Sequence, residues 1–130
     1  MRELHEHKVN PANDQLTIRV TDEAGAGGAC HRYRIDGFNL GKNPSEDVTM
    51  PQLYLTIVFQ NGPIAEAGVN GITHEALIAI LVDRLRCFQD GPYKCRENAL
   101  ALTKLEEAQH WLHARTRTRL ARGVEGTHKV

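Results

Sequence analysis

Residues 71–92, GITHEALIAILVDRLRCFQDGP, mark the point where the chain changes its period. Thr73 is placed to cap a helix, with Glu75 in the first turn near the positive end of the helix dipole. The run at residues 76–82 is apolar nearly all round, so this helix needs cover on more than one side. One side suits a sheet, and the other calls for something else. Gly91 ends the helix and Pro92 starts the next. The second helix is expected over about residues 93–121, roughly 42 Å long. The two form an antiparallel hairpin whose overhang asks for a partner chain. The tail leaves the second helix at Gly123.

Upstream of Gly71 the pattern is strand-like. Leu16, Ile18 and Val20 alternate with Thr17 and Arg19, and Tyr33 and Ile35 alternate with Arg32, Arg34 and Asp36. Leu53, Leu55, Ile57 and Phe59 alternate with Tyr54, Thr56 and Val58. Such alternation buries one face. Asn61-Gly62 is the pair a tight hairpin turn favours, which points to a further strand around residues 64–69. Residues 25–28 and 37–51 read as loops. The expected fold is α+β: an antiparallel sheet of about four strands over residues 1–71, then a helical hairpin with a Gly-rich tail over residues 72–130.

The chain's 130 residues exclude a multidomain enzyme. Lys plus Arg and Asp plus Glu are both 16, which argues against a general nucleic-acid coat. A hydrophobic content of 41% excludes disorder. The 3 cysteines, Cys30, Cys87 and Cys95, make no disulfide framework and suit a reducing compartment. The opening MRELHEHKVNP is charged with no apolar run behind it, so no signal peptide is expected. Residues 76–82 are too few to span a bilayer.

On the second helix, Asn98, Ala101, Leu105, Ala108, Leu112, Arg115, Arg119 and Arg122 recur at spacings of three or four and share a face. Its middle is apolar, and its ends are an amide and three arginines. In one reading the seam ends at Leu112 and the arginines are solvated. In the other they clamp an anion, since guanidinium forks match phosphate oxygens. Asn98 and Arg115 are roughly 25 Å apart along the axis, so one small ligand cannot touch both in one chain. An antiparallel partner hairpin would bring its Arg115 and Arg119 beside Asn98 and the turn residue Phe88. That pocket would hold a base, a sugar and phosphates, twice per twofold dimer. Phe88 and Tyr93 equally suit plain core packing.

Phe88-Gln89, Gly91-Pro92, the run from Cys95 to Asn98, Leu105-Glu106-Glu107-Ala108, Trp111-Leu112, Arg115-Thr116 and the closing RGVEGTH of residues 122–128 resemble the helical-hairpin domain of phage anti-defence sponges. Shorter members of that family counter CBASS immunity by sequestering cyclic di- and trinucleotides. Longer members carry an N-terminal sheet and counter Thoeris immunity by sequestering cyclic ADP-ribose isomers. This chain is similar to the longer kind, most specifically over residues 73–130. The resemblance implies a cyclic ADP-ribose pocket of Phe88, Asn98, Arg115 and Arg119 and a hexamer built as a trimer of dimers. It implies a second site for cyclic oligonucleotides, for which Arg122, Gly123, Val124, Glu125, Gly126 and Thr127 are the candidates; backbone amides beside small residues approach phosphates closely. It places the protein in the cytoplasm of the infected bacterial host.

The residues themselves point to a binder and not an enzyme, with no cofactor. Glu106 and Glu107 are adjacent on a helix and do not face each other. His110 and His113, with Cys87, Cys95, Cys30 and His31 elsewhere, lack the paired spacing of a zinc site, so no metal is expected. The glycines of residues 25–28 lack the spacing of a phosphate loop. The competing reading is a small nucleic-acid-binding module using Arg115, Arg117, Arg119 and Arg122, its binding weakening steeply with salt. Against it stand the interleaved Thr116 and Thr118, the lack of a stacking platform and the zero net charge. No membrane or nucleic-acid partner is expected.

Overall fold

In the computed structural model, residues 1–46 and 52–129 are described. The order is β1 (Arg2–Leu4), α1 (Pro11–Gln15), β2 (Thr17–Val20), β3 (Arg32–Asp36), β4 (Tyr54–Val58), α2 (Ile64–Ala67), α3 (His74–Asp90) and α4 (Arg96–Ala121). The fold is α+β, an antiparallel sheet followed by helices. Two compact units are present, Met1–Asn61 and Gly62–Val130, so α2 belongs with the helices.

The sheet is a meander, β1-β2-β3-β4. Its register puts Ile18 opposite Ile35 and Ile35 opposite Leu55, and Val20 opposite Tyr33 and Tyr33 opposite Ile57. These rows build the apolar face, with Val20 fully buried. Arg19, Arg34 and Asp36 lie on the other face, where Arg19 Nη1 donates to Asp36 Oδ2 at 2.8 Å. Gly37 is required at the end of β3. Its φ is +100°, and a Cβ there would fall on the Gln15 carbonyl oxygen.

The sheet has the expected number of strands but a different membership. Residues 64–69 were expected as a strand; Ile64–Ala67 instead form the short helix α2, ended by Gly68 at φ 72°. Alanine and glutamate favour helix there, and Pro63 sets the chain for a helix start. Asn61-Gly62 does not form the hairpin turn. Among the described residues only glycines have positive φ, so Gly62 alone takes that conformation. The fourth strand is β1, whose three residues are too short to show a period. In the loop expected at residues 37–51, Leu40–Lys42 form a 3₁₀ turn, and residues 47–51 lie outside the described residues.

In the helical unit, Thr73 caps α3 as its sequence position indicates, its Oγ1 accepting from Ala76 N at 3.1 Å. The helix stops at Asp90, with Gly91 N donating to Phe88 O. The second helix begins later than residue 93. Pro92 and Tyr93 form the turn, and Cys95 caps α4, its Sγ accepting from Asn98 N at 3.4 Å. Gln89 Oε1 holds the Cys95 N–H at 3.1 Å, which fixes the link between the helices. With 26 residues, α4 is about 39 Å long and overhangs the 17-residue α3. Only Val82 of α3 is buried, while Ile80 and Leu81 are exposed. Ile80 and Leu81 therefore present apolar surface without cover among the described residues.

Candidate functional site

The two ends of α4 gather different chemistry. At the turn, Phe88 is half-buried, with the Tyr93 ring edge-on to it at 6.4 Å and the Arg84 guanidinium 5.1 Å from its centroid. The Phe88 ring borders a groove of about 350 Å³ along α3, lined by Ile80, Asp83, Arg84 and Cys87. Asn98 is half-buried in the first turn of α4, and its side-chain amide makes no hydrogen bond among the described residues. Helix capping puts it there: Cys95 takes its backbone N–H and leaves the side chain unoccupied. Sequence reasoning missed Arg84, although its place four residues before Phe88 on one helix already makes the two neighbours.

At the other end the arginines differ. Arg115 is exposed and makes no hydrogen bond or ion pair among the described residues. The Arg119 side chain is 12% exposed and is held by the tail through Nε and Nη2. Its Nε donates to Glu125 Oε2 at 3.1 Å, and its Nη2 donates to the carbonyls of Val124 at 3.0 Å and Thr127 at 3.2 Å. Arg122 caps the helix and is exposed.

The tail is folded. Gly123 takes φ 72°, and the chain reverses with Gly123 N on Leu120 O and Val124 N on Arg119 O. These two bonds are the paired closure of a glycine-terminated helix. Thr127 N then reaches Val124 O at 3.1 Å. Gly126 O accepts from Ala65 N of α2 at 2.8 Å, and His128 Nδ1 meets Glu66 Oε1 at 2.9 Å. The tail thus ties α4 to α2.

The helical seam runs along Asn98, Leu102, Leu105, Gln109, Leu112, Thr116 and Arg119, all half-buried, while Ala101, Arg115 and Arg122 face solvent. Across it Arg86 Nη2 pairs with Glu106 Oε2 at 2.8 Å, and Gln109 Nε2 donates to Glu75 O at 3.0 Å. A groove of about 440 Å³ over these residues is also lined by His110 and His113. Among the described residues no group of three or more His, Cys, Asp or Glu is gathered as a metal site, and no helix is long and apolar enough to cross a membrane. Phe88 and Asn98 come together at one end, Arg115, Arg119 and the tail at the other. Within one chain the two sets lie roughly 25 Å apart along α4.

Comparison with known proteins gives this geometry a context. The sequence model of the family described as "Acb2/Tad1, hairpin domain" matches residues 51–117. That span takes in Phe88, Asn98 and Arg115 and stops short of Arg119 and the tail. A protein of Bacillus phage SBSphiJ7 named "Thoeris anti-defense 1" is 55% identical over 74 residues, covering 57% of this chain and 52% of that protein. The chain therefore spans about half the length of the curated relative it matches.

Proposed function

This chain belongs to the Acb2/Tad1 hairpin-domain family, and from that premise we propose that it is a phage anti-defence sponge. It binds cyclic ADP-ribose-type immune signals in the cytoplasm of the infected host and releases them unchanged. The pocket is shared between two copies of the chain. Phe88 stacks a base and Asn98 holds a sugar hydroxyl from one copy; Arg115 and Arg119 of a second copy clamp the phosphates. One observation carries this reading: the Asn98 amide and the Arg115 guanidinium, both without a hydrogen-bond partner among the described residues, stand at opposite ends of the same helix. Neither end alone meets the needs of a nucleotide, and an antiparallel copy brings the two together. The exposed Ile80, Leu81 and Trp111 add apolar surface that assembly would cover, in keeping with a trimer of dimers. The folded tail, residues 122–127, is the candidate for a second site taking cyclic di- or trinucleotides. On this reading the protein acts by sequestration and is not an enzyme.

The test is a calorimetric titration with a cyclic ADP-ribose isomer, followed by heat release and chromatography of the ligand. Tight binding with intact ligand recovered supports the sponge; a cleaved product refutes it. Phe88→Ala and Arg115→Ala each weaken binding at least tenfold, and the melting temperature of Arg115→Ala stays unchanged. Mixed oligomers of the two variants regain binding, because some interfaces then hold an intact Phe88 facing an intact Arg115. A pocket built within one chain would show no such rescue.

The arrangement of cations weighs against the nucleic-acid reading. Thr116 and Thr118 interrupt the basic stripe, each turning its hydroxyl back to a carbonyl of the helix, Leu112 O and Ala114 O.

A further inference from the structure

The two edges of the sheet are unlike. The β1 edge is three residues long and carries Arg2 and Glu3. Short, charged edges of this kind resist pairing with other strands. The β4 edge is five residues long, Tyr54-Leu55-Thr56-Ile57-Val58, with no charge and no proline. Tyr54, Leu55 and Val58 are between 42% and 48% exposed.

The hydrogen-bonding direction of β4 follows from its register. Phe59 N donates to His31 O at 2.8 Å, and the ladder continues with Tyr33 opposite Ile57 and Ile35 opposite Leu55. In an antiparallel pair, opposed residues alternate between bonded and non-bonded pairs. The odd-numbered residues of β4 therefore bond to β3. Tyr54, Thr56 and Val58 point their N–H and C=O groups outward, with no partner for them among the described residues.

We infer that β4 pairs antiparallel with β4 of a second copy, about a twofold axis through Thr56, joining two sheets into one. The occupant is a second copy because the strand is its own complement in this register. Tyr54 faces the partner's Val58, Thr56 faces the partner's Thr56, and Leu55 faces the partner's Ile57. Aromatic with β-branched, threonine with threonine and aliphatic with aliphatic are each favourable cross-strand pairs. Tyr54, Thr56 and Val58 then exchange about six backbone hydrogen bonds across the axis. A shift of two residues either way removes bonds and breaks the Thr56 pair. No like charges meet, since the strand has none. This contact lies in the sheet unit and goes beyond the sponge reading, so either stands without the other.

Mild oxidation of the full-length Thr56→Cys variant tests it. The expected product is a covalent dimer, with peptide mapping placing the link at position 56 of both chains. Tyr54→Cys gives none there, because the two copies of position 54 lie about 13 Å apart in this register. The parent chain, whose three cysteines are free, sets the background. Amide exchange supplies a second readout that needs no cysteine. The amides of Tyr54, Thr56 and Val58 are protected in the parent and exchange at least tenfold faster in Thr56→Lys, which sets like charges across the axis. Cross-linking of Thr56→Cys no greater than that of the parent, equal cross-linking by Tyr54→Cys, or unprotected amides in the parent would overturn the pairing.

Discussion

Each unit of the molecule closes a glycine-containing segment with one charged side chain, and the two charges are opposite. In the sheet unit Asp22 is the clamp. Its carboxylate accepts from His31 N at 2.9 and 3.1 Å and from Arg32 N at 3.1 Å, closing the loop that carries Gly27 and Gly28. In the helical unit Arg119 is the clamp, donating to the carbonyls of Val124 and Thr127 and pairing with Glu125. An arginine keeps its charge at every accessible pH, whereas a carboxylate does not. The difference teaches that the loop after β2, whose clamp is a carboxylate alone, is open to acid, while the tail's clamp also rests on two backbone carbonyls. It also separates Arg119 from Arg115, its neighbour one turn away, which makes no hydrogen bond or ion pair among the described residues.

The largest effect on stability should come from Arg119→Ala. The substitution removes three hydrogen bonds made by a charged group at a nearly buried position. Hydrogen bonds to charged groups contribute about 1.5–3 kcal/mol, so a loss of about 2–3 kcal/mol is expected for the cluster. Chemical denaturation would measure it. Arg115→Ala, by contrast, should fall within about 0.5 kcal/mol of the parent, as surface substitutions do. Equal losses from both would erase the distinction between clamp and free arginine.

Gly123→Ala sharpens the same end with a smaller effect. Gly123 has φ +72°, and a Cβ there meets nothing within 4 Å. The cost is therefore conformational alone, about 1–2 kcal/mol for a left-handed residue with a side chain. Denaturation of this variant, with Arg119 intact, separates the backbone reversal from the guanidinium contacts. A cost near that of Arg119→Ala would mean the tail folds as one cooperative piece.

Much of this was legible in the sequence, for reasons that residues make plain. Thr73 and Gly91 bound α3 because capping chemistry is local. The alternation through Ile18, Ile35 and Leu55 gave three strands because one face had to be buried. Two short elements escaped: β1 shows no period in three residues, and α2 hides behind an Asn-Gly pair that turns without making a hairpin. At the site, the arginine face could be read from spacing, but the division of labour within it could not. Arg119 is held by carbonyls of Val124 and Thr127, and backbone acceptors carry no signature in the side-chain sequence. The same holds for Cys95, a rare cap whose thiol displaces the start of α4 from the turn.

The smallest effect belongs to the acid clamp, and its sign is fixed. The His31 N–H holds the Asp22 carboxyl below its ordinary value of 3.8, partial desolvation opposes the shift, and the Arg32 N–H adds to it. A folded-state pKa depressed in this way contributes stability that is complete above 3.8 and is lost as pH falls through the lower folded value. Asp22→Asn replaces one acceptor oxygen with a donor and removes the titrating proton. The variant should unfold at lower urea than the parent at pH 7. The gap should narrow as pH drops below 3.8, because the parent then loses the same carboxylate. Urea midpoints for both proteins across this range decide it. A gap that stays constant into acid would mean that Asp22 acts by shape and not by charge. The contrast with the Arg119 clamp, which also bonds two backbone carbonyls, would then fail.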